Sequence, residues 1–440
     1  MIILPKHIRP ALLSVALVCS PVFAYSAECQ QTSLQQLQDV VQKQQELLQQ
    51  QSIQIKQQSE QIQSLQRQVN ELISQKDTPA KSASAEPQNA QGKPLRTEQP
   101  LLVVSGSDKF KLTLSAQINR ALNMVADGGS TRLYHVDNNV SNSRIRLVGV
   151  SKADGGVTLG TRLELAFTAD ESSKVSQTQP APGNYLNARW VEVSLNSDTL
   201  GKLSMGKGNT ASYTTAGSDL SKTDIVQYSS VADIAGGMLF RARDGQLTST
   251  ALADVFTDYD GLNARSRLRY DTPTWRGFSL AAALVSDQRS DLGVYWSGEG
   301  DGLKAVAGLG FADPHQPGSR QQYDASLSVL HIGSGLNLTL SGGVIERKQG
   351  ANAASGYVKL GWLAELNRWG STAFGIDYSR SDNSAASGDR GRSAGAAVVQ
   401  EVNRFASELY LQYRVYQLKM GDATPVHDIS VGTLGARVKF

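Results

Sequence analysis

The sequence predicts an all-β transmembrane barrel of sixteen antiparallel strands, preceded by an α-helical coiled coil. Three observations carry this: a strand whose cationic face can only meet water, a regular alternation of short and long connections, and an N-terminal export signal. In residues 262–271, Arg265, Arg267 and Arg269 fall on one face of a period-two strand, and Ala264, Ser266, Leu268 and Tyr270 on the other. An Arg near the bilayer midplane costs about 2 to 4 kcal/mol on the lipid side of a barrel, so three of them must face a wet interior. Same-face arginines stand roughly 7 Å apart along a strand. Such a ladder persists most easily opposite acidic partners or passing anions.

The chain has 440 residues, 40 glycines and a formal charge of +3, a balance that argues against a nucleic-acid-binding protein. Lys6 and Arg9 precede the apolar run Ala11 to Cys19, and Pro21-Val22-Phe23-Ala24 follows, so residues 1–24 read as a secretory signal peptide. No later stretch approaches the ~20 continuous apolar residues of a spanning helix. Cys19 leaves with the signal, and the residues before Cys19 and Cys29 do not suit lipid attachment. Cys29 is then unpaired, free or available to cross-link two chains.

Residues 30–75 form the coil. Leu34, Val41, Leu48, Ile55, Ile62 and Val69 recur every seven residues, with Leu37, Leu65 and Leu72 at three d positions and Gln44, Gln51 and Gln58 at the other three. That period gives a left-handed coiled coil, and polar layers in its seam fix register at a cost in stability. The tract holds 19 glutamines, which alone would suit disorder; the unbroken apolar a column decides for the helix. Residues 76–109 carry Pro79, Pro87, Pro94 and Pro100 among Ala, Ser, Gln and Lys, and form an extended linker.

The barrel occupies residues 110–440. Phe110, Leu112, Leu114, Ala116 and Ile118 alternate with Lys111, Thr113, Ser115, Gln117 and Asn119, and the pattern returns through residues 157–167, 336–344, 358–362, 374–378, 409–415 and 434–440. Short links at residues 154–156, 196–198, 273–277, 298–302, 333–335, 367–370 and 403–404 alternate with longer ones at 126–142, 169–186, 208–261, 312–322, 346–355, 381–393 and 417–428, with 287–291 the shortest on that side. Bacterial barrels have short periplasmic turns and long external loops. Residues 208–261 are too long for a structureless surface loop. They read as an insert folded into the lumen, with an extra hairpin near residues 238–243.

Several stretches resemble Gram-negative general porins, and within them the DcaP-like porins with an N-terminal coiled coil. They are Ser143-Arg144-Ile145-Arg146-Leu147-Val148-Gly149, Gly201 to Lys207, Arg267 to Pro273 with Gly277-Phe278, and Gly435 to Phe440. The resemblance covers most of the barrel. It implies a homotrimer of sixteen-stranded barrels, a third external loop (here 208–261) folded inward, Phe440 as the assembly signal of the last strand, and a three-stranded periplasmic coil. It also implies uptake of small dicarboxylates across the outer membrane of a Gram-negative bacterium.

No enzyme site emerges. His135, His315, His331 and His427 are scattered, without a metal-ligand or nucleophile motif, and Gly308-Leu309-Gly310 lacks the turn and helix of a nucleotide site. Neither catalytic residue, metal nor cofactor is expected. Two readings remain: a passive diffusion channel for small hydrophilic solutes, or a trimeric outer-membrane tether or adhesin whose barrel is only an anchor. A lumen plugged by paired charges would mark the second.

Strand parity turns Lys111, Arg144, Arg146, Arg162, Lys202, Arg265, Arg267, Arg269, Lys304, Lys359, Arg414, Arg437 and Lys439 inward. Fewer acids share that face: Glu164, Glu192, Asp271, Asp324, Glu365, Asp377 and Glu408. Rings of Arg and Lys attract anions through a pore, and a guanidinium fork grips a carboxylate with two hydrogen bonds. The pore-lining and solute-binding set is therefore Arg144, Arg146, Arg162, Arg265, Arg267 and Arg269, faced by Asp219 and Asp224 of the insert. Asp233, Asp244, Asp254, Asp258 and Asp260 are further insert acids that could balance it.

Overall fold

The architecture comes from a computed structural model describing residues 102–107, 109–153 and 155–440, together with Gln42 and Gln49, which are helical. The signal peptide, the rest of the coiled coil and most of the linker lie outside the described residues. Among those described, sixteen antiparallel crossings close a barrel. The first, Phe110–Ala126, pairs with the last, Ile429–Lys439, from Gln117↔Lys439 to Ala126↔Ser430. The Phe440 N–H donates to the Ala116 carbonyl at 2.9 Å. Pairing the first crossing with the last leaves no open seam between them, which a sheet in lipid could not tolerate.

Parity follows the solvent on each side. On Ser407–Lys419, Leu411 is 53% exposed while the next residue, Gln412, is 2% exposed. The apolar face is the outer one. Trp362 and Phe374 stack at 5.7 Å on that outer surface near the short turns, as part of an aromatic girdle.

The second crossing departs from the sequence expectation. Residues 126–142 read as one long loop, but Thr131–Asp137 returns as a strand on Phe110–Ala126, and Arg144–Lys152 continues along the same partner. The alternation is hidden because its inward residues, Tyr134 and Val136, are themselves apolar and pack in the core made with the insert. Only residues 138–143 leave the wall. They turn into the lumen, where the Asn138 side chain donates to the Ile225 carbonyl of the insert at 3.0 Å.

The insert lies along one side of the lumen. Its start is held by Asp291, which accepts from the backbone N–H groups of Ala211 at 3.0 Å and Ser212 at 2.8 Å. Further on, Ser341 donates to the Ala216 carbonyl at 2.7 Å, Tyr416 donates to the Val231 carbonyl at 2.5 Å, and Asn123 donates to that of Ile234 at 2.6 Å. Ile225, Val231, Ile234, Met238, Phe240, Leu252 and Phe256 bury themselves against Tyr410, Tyr416, Val399 and Val431 of the wall. Within the insert, Leu239–Arg241 pairs with Leu247–Ala251 as a hairpin. These wall contacts leave out the strands that carry Arg144, Arg146, Arg162, Arg265 and Arg267, whereas Arg414 is buried on the covered side, paired with Asp377.

Candidate functional site

On the uncovered side, four guanidinium groups converge on one carboxylate. Glu164, 1% exposed at its side chain, accepts from Arg146 Nε at 2.6 Å, Arg162 at 2.7 Å and Arg189 Nε at 3.0 Å, with Arg144 at 3.5 Å. Register explains most of this. Arg146 is directly opposite Glu164 across the pair of strands Arg144–Lys152 and Val157–Ala169, and Arg162 shares its strand and face with Glu164. Side chains two residues apart on one face are neighbours.

Arg189 was missed by parity, which turns it outward. Glu164 pairs with Trp190 and Leu165 with Ala188, so Arg189 is the extra residue of a bulge. A bulge re-aims a side chain, and here it aims a cation at Glu164. No pattern of residue types in the strand announces it.

A second group adjoins the first. Arg437 and Lys439 both bind Glu408, Arg437 at 2.5 and 2.9 Å and Lys439 at 2.8 Å. Ser141, on the excursion at 138–143, joins the two groups: its hydroxyl accepts from Arg144 at 2.9 Å and Arg437 at 2.7 Å. Six cations thus surround two carboxylates.

The ladder divides into three environments. Arg267, 5% exposed, is ion-paired with Glu192 and donates to the carbonyls of Asn209 and Gly206, both at 2.9 Å. It is built into the wall. Gly208 makes room for it, since a Cβ there would stand 2.8 Å from its guanidinium and 2.7 Å from the Trp190 ring. Arg269 is tied to Asp271 at 2.6 Å and to the Thr210 carbonyl at 2.6 Å. Arg265 is exposed, its Nε donating to the Leu262 carbonyl at 3.2 Å. Arg162 stacks over Trp190 at 3.7 Å, linking the ladder to the Glu164 group. Beside them a cavity of about 650 Å³ is lined by Trp190, Glu192, Lys202, Arg269, Asp271 and Tyr295 among others.

The insert presents acids, but not the ones expected in every case. Asp219 is ion-paired with the fully buried Lys359, whose Nζ also donates to the Gln227 carbonyl at 2.8 Å, so it anchors the insert to the wall. Asp224 is open to water yet hemmed in by protein; burial, then the neighbouring Asp219, raises its pKa. Asp244 and Asp254 are exposed, each accepting a backbone N–H within its own turn. Asp233, Asp258 and Asp260 form a cluster. Burial pushes Asp233 up to about 6, even though the Tyr228 hydroxyl donates to it. Asp258 is raised by burial, and Asp260 well raised by burial and by Asp258. Tyr213 is pushed up to about 12 by burial first; the charge of Asp260 raises it further and that of Arg189 lowers it. Among the described residues no cluster of His, Cys, Asp and Glu could hold a metal ion.

The family described as Gram-negative porin matches residues 79–433. The fold is similar to the anion-selective porin from Comamonas acidovorans, at 16% identity and a TM-score of 0.52, covering 76% of this chain and 100% of that one. It is also similar to the outer membrane channel DcaP of Acinetobacter baumannii, at 10% identity and a TM-score of 0.50, covering 77% and 100%. The trimer form of OmpT from Vibrio cholerae gives 12% identity and a TM-score of 0.50, covering 76% and 100%. At these identities the likeness is one of fold. No curated protein matches the chain in sequence.

Proposed function

The chain belongs to the Gram-negative porin family and forms an outer-membrane channel, and on that premise we propose that it passes small hydrophilic solutes by diffusion with a preference for anions, small dicarboxylates foremost. The observation that carries the preference is the meeting of Arg144, Arg146, Arg162 and Arg189 on the single carboxylate of Glu164. One negative charge cannot balance four positive ones, and a guanidinium fork left with free N–H groups is suited to a carboxylate. The open cavity beside Arg269 and Lys202 favours conduction over an anchor with a plugged lumen. The working unit is taken as a homotrimer, as in the trimer form of OmpT, with the signal peptide removed and residues 30–75 as a periplasmic coil.

The test is the reversal potential of the purified protein in a planar bilayer under a potassium chloride gradient, with liposome swelling in a small dicarboxylate alongside. An anion-selective potential and swelling are expected. A cation-selective pore, or neither conductance nor swelling, would remove this reading.

Selectivity should also depend on pH. Asp233, whose pKa is raised to about 6 by burial, is negative well above that value and loses its charge as pH falls through it; burial raises Asp224, Asp258 and Asp260 as well. The arginines keep their charge. Anion preference is therefore expected to increase from pH 7.5 to pH 5. A shift toward cations over that interval would contradict the placement of these acids at the pore.

A further inference from the structure

The outer surface carries a charged patch where a barrel wall should be apolar or neutral. Near the external ends of Gly370–Asp382, Arg390–Val402 and Ser407–Lys419, strand parity turns Arg380, Arg390, Arg392 and Lys419 outward, away from the lumen-facing Ser379, Ser381 and Ser393. Arg380 is directly opposite Arg392, and Arg390 is directly opposite Lys419. Like charges facing each other across strands destabilise a sheet. Two acids share the patch. Asp382 accepts from Arg380 at 2.8 Å and Arg390 at 3.1 Å, and Asp428 accepts from Gln417 at 2.8 Å. The side chains of Arg392 and Lys419, both exposed, have neither hydrogen bond nor ion pair among the described residues.

The position of the patch selects its occupant. Toward the membrane on the same face come Tyr378 and Ile376 on one strand, and, beyond Gln417 and the half-buried Val415, Tyr413 and Leu411 on the next but one; the two tyrosines, Ile376 and Leu411 are exposed. Between them stand Ala394, opposite Tyr378, and Ala396, opposite both Ile376 and Tyr413. Two small side chains flanked by large apolar ones make a shallow trough running up to Arg392. An acyl chain fits such a trough, and the cations stand at headgroup height at its upper end.

We propose that this face binds a lipid of the outer leaflet through its phosphorylated headgroup. The phosphates bridge Arg380 and Arg392 and engage Lys419, while an acyl chain lies along Ala394 and Ala396. A phosphate set between the two arginines relieves the repulsion that the bare sheet carries, and guanidinium forks bind phosphate in bidentate fashion. The inference is independent of what passes through the pore.

The test uses delipidated full-length protein in detergent, titrated with bisphosphorylated lipid A, monophosphorylated lipid A, phosphatidylcholine and inorganic phosphate. Binding is read by native mass spectrometry. Wild type should hold the bisphosphorylated lipid most tightly, and the double variant Arg380→Gln/Arg392→Gln should lose about tenfold in affinity with unchanged conductance. Lys348→Gln, in a neighbouring loop, should bind as wild type. Arg392→Lys, which keeps the charge and the fold but not the fork, should weaken binding severalfold, and so serves if the double variant fails to assemble. Equal binding by wild type and both patch variants, equal retention of phosphatidylcholine, or displacement of the lipid by millimolar inorganic phosphate would overturn the proposal. So would a change of oligomeric state in the lipid-free double variant, which would make this face a contact between copies of the chain.

Discussion

Replacing Arg146, Arg162 and Arg189 together by Ser is expected to move the reversal potential of the channel strongly toward cations. The three side chains contribute most of the positive excess around Glu164, which would then keep only Arg144, at 3.5 Å. A unit charge about 6 Å from a passing ion is worth roughly 0.7 kcal/mol in water. Three charges, reduced by screening over a Debye length of about 10 Å at 0.1 M salt, amount to roughly 1 to 2 kcal/mol, or about five- to thirtyfold in the ratio of anion to cation permeability. Bilayer measurements on wild type and triple variant, at low and high salt, decide the matter. An unchanged ratio at low salt would show that the Glu164 group is structural only. The corresponding change in the ladder should be smaller, because Arg267 is committed to Glu192 and two carbonyls and Arg269 to Asp271. Of the three, only Arg265 is open to a solute without losing an ion pair.

Asp219→Ala is expected to loosen the insert and raise single-channel conductance. Lys359 is fully buried on the wall and its salt-bridge partner is Asp219, so removing the carboxylate leaves a desolvated ammonium with only the Thr223 hydroxyl at 3.1 Å and the Gln227 carbonyl at 2.8 Å. Breaking a buried pair on one side costs about 3 to 5 kcal/mol. Withdrawal of the insert from the wall lets water reach Lys359, and the segment then no longer holds its place. Noisier and larger currents, together with a lower heat-denaturation midpoint on gels, are the expected signs. The paired replacement Lys359→Met/Asp219→Leu removes both charges and should restore both properties toward wild type, since apolar substitutes for a buried pair are often neutral. If Asp219→Ala conducts and melts as wild type does, the anchor lies elsewhere, with Tyr416 and Asn123 the next contacts to change.

The face of most strands was legible in the sequence because lipid leaves no choice on the outside. A Leu411 or an Ile118 has to point outward and a Gln412 or an Asn119 inward, so residue type reports orientation one residue at a time. Thr131–Asp137 escaped notice for the converse reason: its inward Tyr134 and Val136 meet the apolar insert instead of water, and the contrast between the two faces disappears. Orientation alone does not say which cation is free. That depends on what stands opposite, and register is a property of two strands together. Arg146 meets Glu164 because their strands pair at that position, and Arg189 joins them because one extra residue in its strand turns it around. Lys359 and Arg267 look alike in a list of inward cations, yet Lys359 lies buried under the insert while Arg267 lies buried against Glu192, and neither is exposed to a solute. Composition and period thus determined a barrel with an apolar outer face and polar side chains turned inward, since these depend only on the solvent each side chain meets. Which arginines remain under-neutralised was decided by the tertiary structure, because the pairing of charges at 3 Å follows from cross-strand register, the bulge at Arg189 and the path of the insert, none of which is local in the chain.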